Sequence, residues 1–203
     1  MIRILSRLIS VIMHPLWMPF FLFICLTKFP PSFTENEIRG YALSLIVLLL
    51  TGVLPAFNLI LFRILGTIPD LALAQQKDRT MPFMFITMVY AGSAYLFYQQ
   101  YPISWAFKLL LLTASASMAG TLITLWFKIS IHALAISGVT AIIVFTEMID
   151  GEGLLFMPSI SAVVLSGVVM SARLWLEAHT LGEVLAGAVT GAMITTIGMT
   201  ILF

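Results

Sequence analysis

Ser171-Ala172-Arg173-Leu174-Trp175-Leu176-Glu177-Ala178-His179-Thr180-Leu181-Gly182-Glu183 is a charged patch held between two apolar runs. The run before it covers about Leu154 to Leu176, and the run after it about Val184 to Phe203. Each is close to the ~20 apolar residues a helix needs to cross a bilayer. Outward from there, five more runs fit the same description: about Leu5 to Phe29, Ile38 to Leu65, Met81 to Tyr98, Ser104 to Phe127 and Ile129 to Met148. The composition agrees, with 61% hydrophobic and 9% charged residues in a chain of 203. A soluble domain has about 45–50% and about 25%. So few charges cannot cover a soluble globule, and so apolar a chain is not disordered. The expectation is an all-α, polytopic transmembrane helix bundle of six or seven spans. It forms one domain over residues 1–203 with short connections. A net charge of +1 supplies no basic face, so no nucleic-acid partner is expected. The single cysteine, Cys25, can form neither an intrachain disulfide nor a cysteine-based zinc site.

The first run is ambiguous, because Pro15 and Pro19 interrupt helical hydrogen bonding. It reads either as an interfacial turn through Met13 followed by a short span, or as one kinked helix. Pro30-Pro31 and Glu35-Asn36-Glu37 mark one polar loop, and Asp150-Gly151-Glu152-Gly153 another. Gly187-x-x-x-Gly191 is a small-residue pattern suited to close helix packing.

In such a chain the informative residues are ionisable groups at the membrane boundary. Lys77, Asp78 and Arg79 precede the third span. Lys128, Ser130 and His132 open the fifth, and Arg173, Glu177, His179 and Glu183 lie between the sixth and seventh. Alternating spans bring all three clusters to one face. Arg and Lys bind phosphate oxygens, and His serves as nucleophile or acid–base group near neutral pH. The pattern suits an anionic ligand.

Arg173, five residues, His179, three residues, Glu183 resembles the third signature of the type 2 phosphatidic acid phosphatase (PAP2) superfamily: Ser-Arg, five residues, His, three residues, Asp. Ile129-Ser130-Ile131-His132 resembles the second, Pro-Ser-Gly-His, with serine and histidine at the same offset. Lys77-x-Arg79-x-x-Pro82 holds the residue types of the first, Lys, six residues, Arg-Pro, in compressed order. The resemblance covers about residues 70–203, with 1–69 adding two membrane segments. It implies a PAP2-like core and a membrane lipid phosphatase working through a phosphohistidine. The implied nucleophile is His179, oriented by Glu183 one helical turn on. His132 is the implied acid and then base. Arg173, Lys77 and Arg79 would clamp the phosphate, Ser130 would donate a hydrogen bond, and Lys128, outside the family pattern, would add binding. No metal and no cofactor is implied, and no acidic residues have metal-ligand spacing. The implied partners are a lipid phosphate substrate and membrane lipids, in a bacterial inner (cytoplasmic) membrane. Oligomeric state is not legible.

Five departures bear on this. Glu183 replaces the family Asp, Ile129 and Ile131 replace the proline and the glycine of the second signature, Ala172 separates Ser171 from Arg173, and the first motif is compressed. They leave room for a divergent phosphatase, a related phosphotransferase, or a catalytically silent protein that binds or transports lipid phosphate. An intramembrane prenyltransferase would need paired Asp-rich motifs, whereas Asp70, Asp78 and Asp150 are single. Elsewhere the plain readings apply. His14, beside Pro15, reads as a capped or interfacial residue. Glu177 faces solvent or headgroups, and Trp17, Trp105, Trp126 and Trp175 read as interface anchors. With the proposed ligands set aside, Arg3, Arg7 and Arg63 on one face balance Lys28, Arg39 and Lys108 on the other. The positive-inside rule therefore does not orient the chain.

Overall fold

The computed structural model describes residues 1–29, 37–71, 73, 75–100 and 104–203. Pro30-Pro31 and the Glu35-Asn36 part of the first polar loop lie outside them. Among the described residues all regular structure is helical. The elements are α1 (Ile2–Ile12), α2 (Met18–Lys28), α3 (Glu37–Val47), α4 (Leu54–Ile64), α5 (Thr80–Gln100), α6 (Trp105–Thr124), α7 (Ile131–Asp150), α8 (Phe156–Trp175) and α9 (Leu181–Leu202). A 3-10 turn, Pro15–Trp17, joins α1 to α2, and a π-helical stretch, Leu48–Val53, joins α3 to α4. Seven helical segments are long and apolar enough to span a membrane, and the protein is an all-α integral membrane bundle.

The first segment is one kinked span. α1 and α2 have 11 residues each, about 16 Å, and neither alone crosses a ~30 Å hydrocarbon core. The break is made by extended backbone at His14 and by Pro15 at the start of the turn. The contacts descend in order. Arg3 lies beside Leu174, Trp175 and Glu177. Ser10 meets His132, and Met18 packs with Ile136 and Val169. Leu22, Phe23 and Leu26 reach Leu109, Leu110 and Ile142.

α7 and α9 form the tightest pair, and the reason is glycine. A Cβ on Gly187 would strike the Ser130 carbonyl, and one on Gly191 the Leu134 carbonyl. The four-residue spacing sets two turns of α9 against two turns of α7, backbone on backbone. Ser130 N–H also donates to the Glu183 carbonyl at 3.0 Å. The N-termini of α7 and α9 are thereby locked side by side.

The largest buried cluster joins α2, α6, α7 and α9 in the half of the bundle away from these N-termini. Smaller clusters around Leu16, Met18 and Ile129 occupy the near half. Between them lies a cavity of about 160 Å³. Apolar residues dominate the lipid-facing surface, as the scarcity of charge requires. Trp126 and Trp175 are exposed at helix ends. Trp17 is not an interface anchor: its ring packs against Gly52 in the π-helical stretch. Trp105 likewise packs inward, with its ring centroid 5.1 Å from that of Phe23.

Candidate functional site

The polar end of the cavity is lined by Arg79, His132, Arg173 and His179, together with His14. Two loops (Arg79, His179), the first turn of α7 (His132), the last turn of α8 (Arg173) and the α1–α2 break (His14) deliver these five side chains.

His179 is placed by the turn out of α8. Ala178 N–H donates to the Arg173 carbonyl and Glu177 N–H to the Leu174 carbonyl, which is the Schellman closure of a helix. Glu177 holds the left-handed position of that turn, at φ 55°, where glycine is usual. The chain then reverses, and Thr180 caps α9 with its side chain on Glu183 N–H. His179 therefore precedes the cap and stands outside the helix. Its pairing with Glu183 is not the turn-on-turn contact of one helix face. Glu183, third residue of α9, bends back in a capping box. One carboxylate oxygen, Oε2, accepts from Thr180 N–H at 3.3 Å and from His179 Nδ1–H at 2.7 Å. With Nδ1 so engaged, a neutral His179 keeps its lone pair on Nε2. Burial, the largest influence, disfavours the His179 imidazolium; the Glu183 hydrogen bond opposes this, and the Arg79 and Arg173 charges add to it. The net result is a pKa lowered to about 4.

Arg79 is buried, at 5% exposure. Its Nε donates to the Leu73 carbonyl at 2.7 Å and its Nη1 to the Ile129 carbonyl at 3.2 Å. Leu73 itself has φ 48°, steadied by its N–H on Asp70 Oδ1 at 2.9 Å. These bonds tie the α4–α5 loop to the α6–α7 loop and leave three of the five guanidinium N–H groups for a ligand. Arg173 is different. Its Nε is buried without a partner, and no carboxylate of the described residues pairs with it or with Arg79. Withdrawing a cation from water without an ion-pair partner is unfavourable, and an anion in the cavity would offset it.

His132 lies in the first turn of α7 and sends Nε2–H to the Ser10 carbonyl of α1 at 3.1 Å. A carbonyl only accepts, so the exchangeable proton of this ring is the one on Nδ1. His14 stands edge-on to His132, with ring centroids 5.3 Å apart.

The remaining expected residues fall outside the cavity lining. Lys77 is exposed. Lys128 donates from Nζ to the Ala178 carbonyl at 3.2 Å, tying the loop before α7 to the loop before α9. Ser130 is fully buried and caps α7, accepting from Ala133 N–H at 3.4 Å. Glu183 hydrogen-bonds His179, and its charge also acts on Arg79. Ser171 and Glu177 are exposed.

His14, read from the sequence as a capped or interfacial residue, does cap the Pro15–Trp17 turn, but it also lines the cavity, which the sequence reading did not assign to it. The signal was present: an ionisable side chain inside an apolar run, at a proline break. Its partners come from α7 and α8, more than a hundred residues away, and nothing local announces them.

The arrangement can hold a tetrahedral anion between two guanidinium groups, against the Nε2 lone pair of a neutral imidazole. No protein family, curated protein or solved structure matches this chain.

Proposed function

We propose that the protein is a membrane lipid phosphatase that hydrolyses a lipid phosphomonoester or diphosphate through a phosphohistidine on His179. One observation carries this reading. Half-buried Arg173, whose Nε has no hydrogen-bond partner, shares a cavity with a histidine whose Nδ1 is held by a carboxylate, leaving Nε2 as the nucleophile. The cavity is polar at this end. Deeper in it is walled by apolar side chains such as Leu22, Ile86 and Ile142, which suits a phosphate on a hydrocarbon chain.

In this mechanism His179 Nε2 attacks phosphorus, and the bond from phosphorus to the lipid oxygen breaks. Arg79 and Arg173 hold the non-bridging oxygens, where charge must be stabilised in the transition state. Glu183 balances the imidazolium that forms at His179. His132, protonated at Nδ1 once the phosphate is bound beside it, passes that proton to the leaving alkoxide. It then takes a proton from the water that cleaves the phosphohistidine, releasing phosphate and restoring His179. Phosphatidic acid, phosphatidylglycerol phosphate and polyprenyl phosphates are the substrates to try.

A second reading, a silent lipid-phosphate binder or transporter, draws on Lys77 and Ser130 both standing outside the cavity lining. Both features leave fewer ligands than the resemblance implies. Phosphate release from these lipids by purified protein in nanodiscs separates the two. The phosphatase reading expects release by wild type and none above background by His179→Ala. Unchanged release by His179→Ala overturns the mechanism, and tight lipid-phosphate binding without turnover favours the binder.

A further inference from the structure

The cavity is closed on one side by the α1–α2 break, which lies outside the region of family resemblance. His14 sits at that break with extended backbone, φ −68° and ψ 140°. Its Nδ1 accepts the Leu16 N–H at 3.3 Å, capping the Pro15–Trp17 turn. An imidazole nitrogen that accepts is unprotonated, so the ring proton of neutral His14 is on Nε2. That Nε2 has no hydrogen-bond partner among the described residues. The ring lines the cavity with Arg173 and His179 and meets His132 edge-on at 5.3 Å. Capping alone does not call for histidine, since Ser, Asn and Asp do it at least as well. What histidine adds is a second nitrogen on the far side of the ring.

We propose that His14 is a substrate-binding residue: its Nε2–H donates to a phosphoryl oxygen on the His132 side of the cavity. This rests on the reading that the cavity takes a phosphate. The N-terminal segment then does more than add a span. It contributes a third imidazole to the site, and through the Ser10 carbonyl it also orients the second. His14 binds as a neutral donor, so it adds direction at the phosphate without adding to the charge of Arg79 and Arg173.

Two substitutions separate the cap from the ligand contact. His14→Asn keeps an oxygen near the Nδ1 position and so keeps the cap, but it has nothing at Nε2. His14→Gln carries an amide N–H to the Nε2 position and loses the cap. The probe is orthovanadate, with inorganic phosphate alongside, titrated into the full-length protein by calorimetry, and thermal unfolding is measured on each variant. His14→Asn is expected to unfold as wild type does and to bind vanadate on the order of 10–100-fold more weakly, the worth of a hydrogen bond to a charged group. His14→Gln is expected to recover most of that affinity while unfolding at lower temperature. Wild-type affinity in His14→Asn overturns the assignment, as does a loss that His14→Gln does not recover. Wild-type protein that binds vanadate but releases no phosphate from lipids removes the phosphatase reading and leaves the role of His14 standing. Wild-type protein that binds neither anion removes both.

Discussion

Replacing Glu183 by glutamine tests the proposed nucleophile without dismantling the loop that carries it. Glutamine serves at the third position of a capping box as glutamate does. The α9 cap is therefore expected to persist, with a loss of less than about 1 kcal/mol in stability. The chemistry is expected to fail. When Nε2 bonds phosphorus, His179 becomes an imidazolium, and the carboxylate 2.7 Å from Nδ1 is its counter-charge. At an effective dielectric constant of about 20, unit charges at that distance attract by about 6 kcal/mol. The imidazolium spreads its charge over the ring, which reduces this figure. At 1.36 kcal/mol per decade, phosphohistidine formation should slow by about 10³–10⁴-fold. Glu183→Asp makes a sharper control, because it retains the charge but withdraws it by about one C–C bond, about 1.5 Å. Nδ1 would then face a gap well beyond hydrogen-bond length, so activity should fall despite the retained carboxylate. Rapid-quench measurement of the phosphoenzyme, beside thermal unfolding, reads both quantities. Glu183→Gln within about tenfold of wild-type rate, with unfolding unchanged, would refute the role given to the carboxylate.

Three further outcomes follow from the same geometry. The neutral form of His179 attacks, and its pKa is lowered to about 4, so protonation of this ring should remove activity only as pH falls through about 4; a His179 ring that titrates near 6.5 in an NMR pH series would contradict this. Gly191→Ala sets a methyl group on the Leu134 carbonyl; neither backbone can yield, and a loss of about 1–3 kcal/mol or more is expected in unfolding measurements, with activity falling as the α7 and α9 N-termini separate. Glu177→Gly relieves a non-glycine residue at φ 55° and should raise stability by about 0.5–1 kcal/mol with activity retained, checked by thermal unfolding beside the lipid assay.

The span limits were legible because a bilayer imposes length and polarity on contiguous residues. The expected run from Ser104 to Phe127 became α6, Trp105–Thr124, and the run from about Leu154 became α8. The packing role of Gly187 and Gly191 was equally readable, since a four-residue spacing of small side chains makes one helix stripe. The candidate site was less so. The four-residue spacing of His179 and Glu183 suggests a pair on one helix face; the pair forms, but a Schellman turn precedes His179 and a capping box brings Glu183 back to it. Ser130 and Lys128 have the right chemistry for a phosphate, yet neither lines the cavity: Ser130 Oγ is turned to cap Ala133 N–H, and Lys128 Nζ is turned to the Ala178 carbonyl. Placement of this kind depends on where a neighbouring loop runs.

Hydropathy and the placement of 19 formally charged residues were enough to determine an all-α membrane bundle and to gather the basic clusters on one face. These are properties of contiguous segments and of alternation, which a linear string contains. Only the tertiary structure decided which cations line the cavity, which nitrogen of each histidine is free, and that His14 belongs beside Arg173. Those facts depend on hydrogen-bond partners far apart in the chain. Each donor or acceptor is committed once its neighbours are in place, and the N-terminal break meets α7 and α8 only when the bundle has closed.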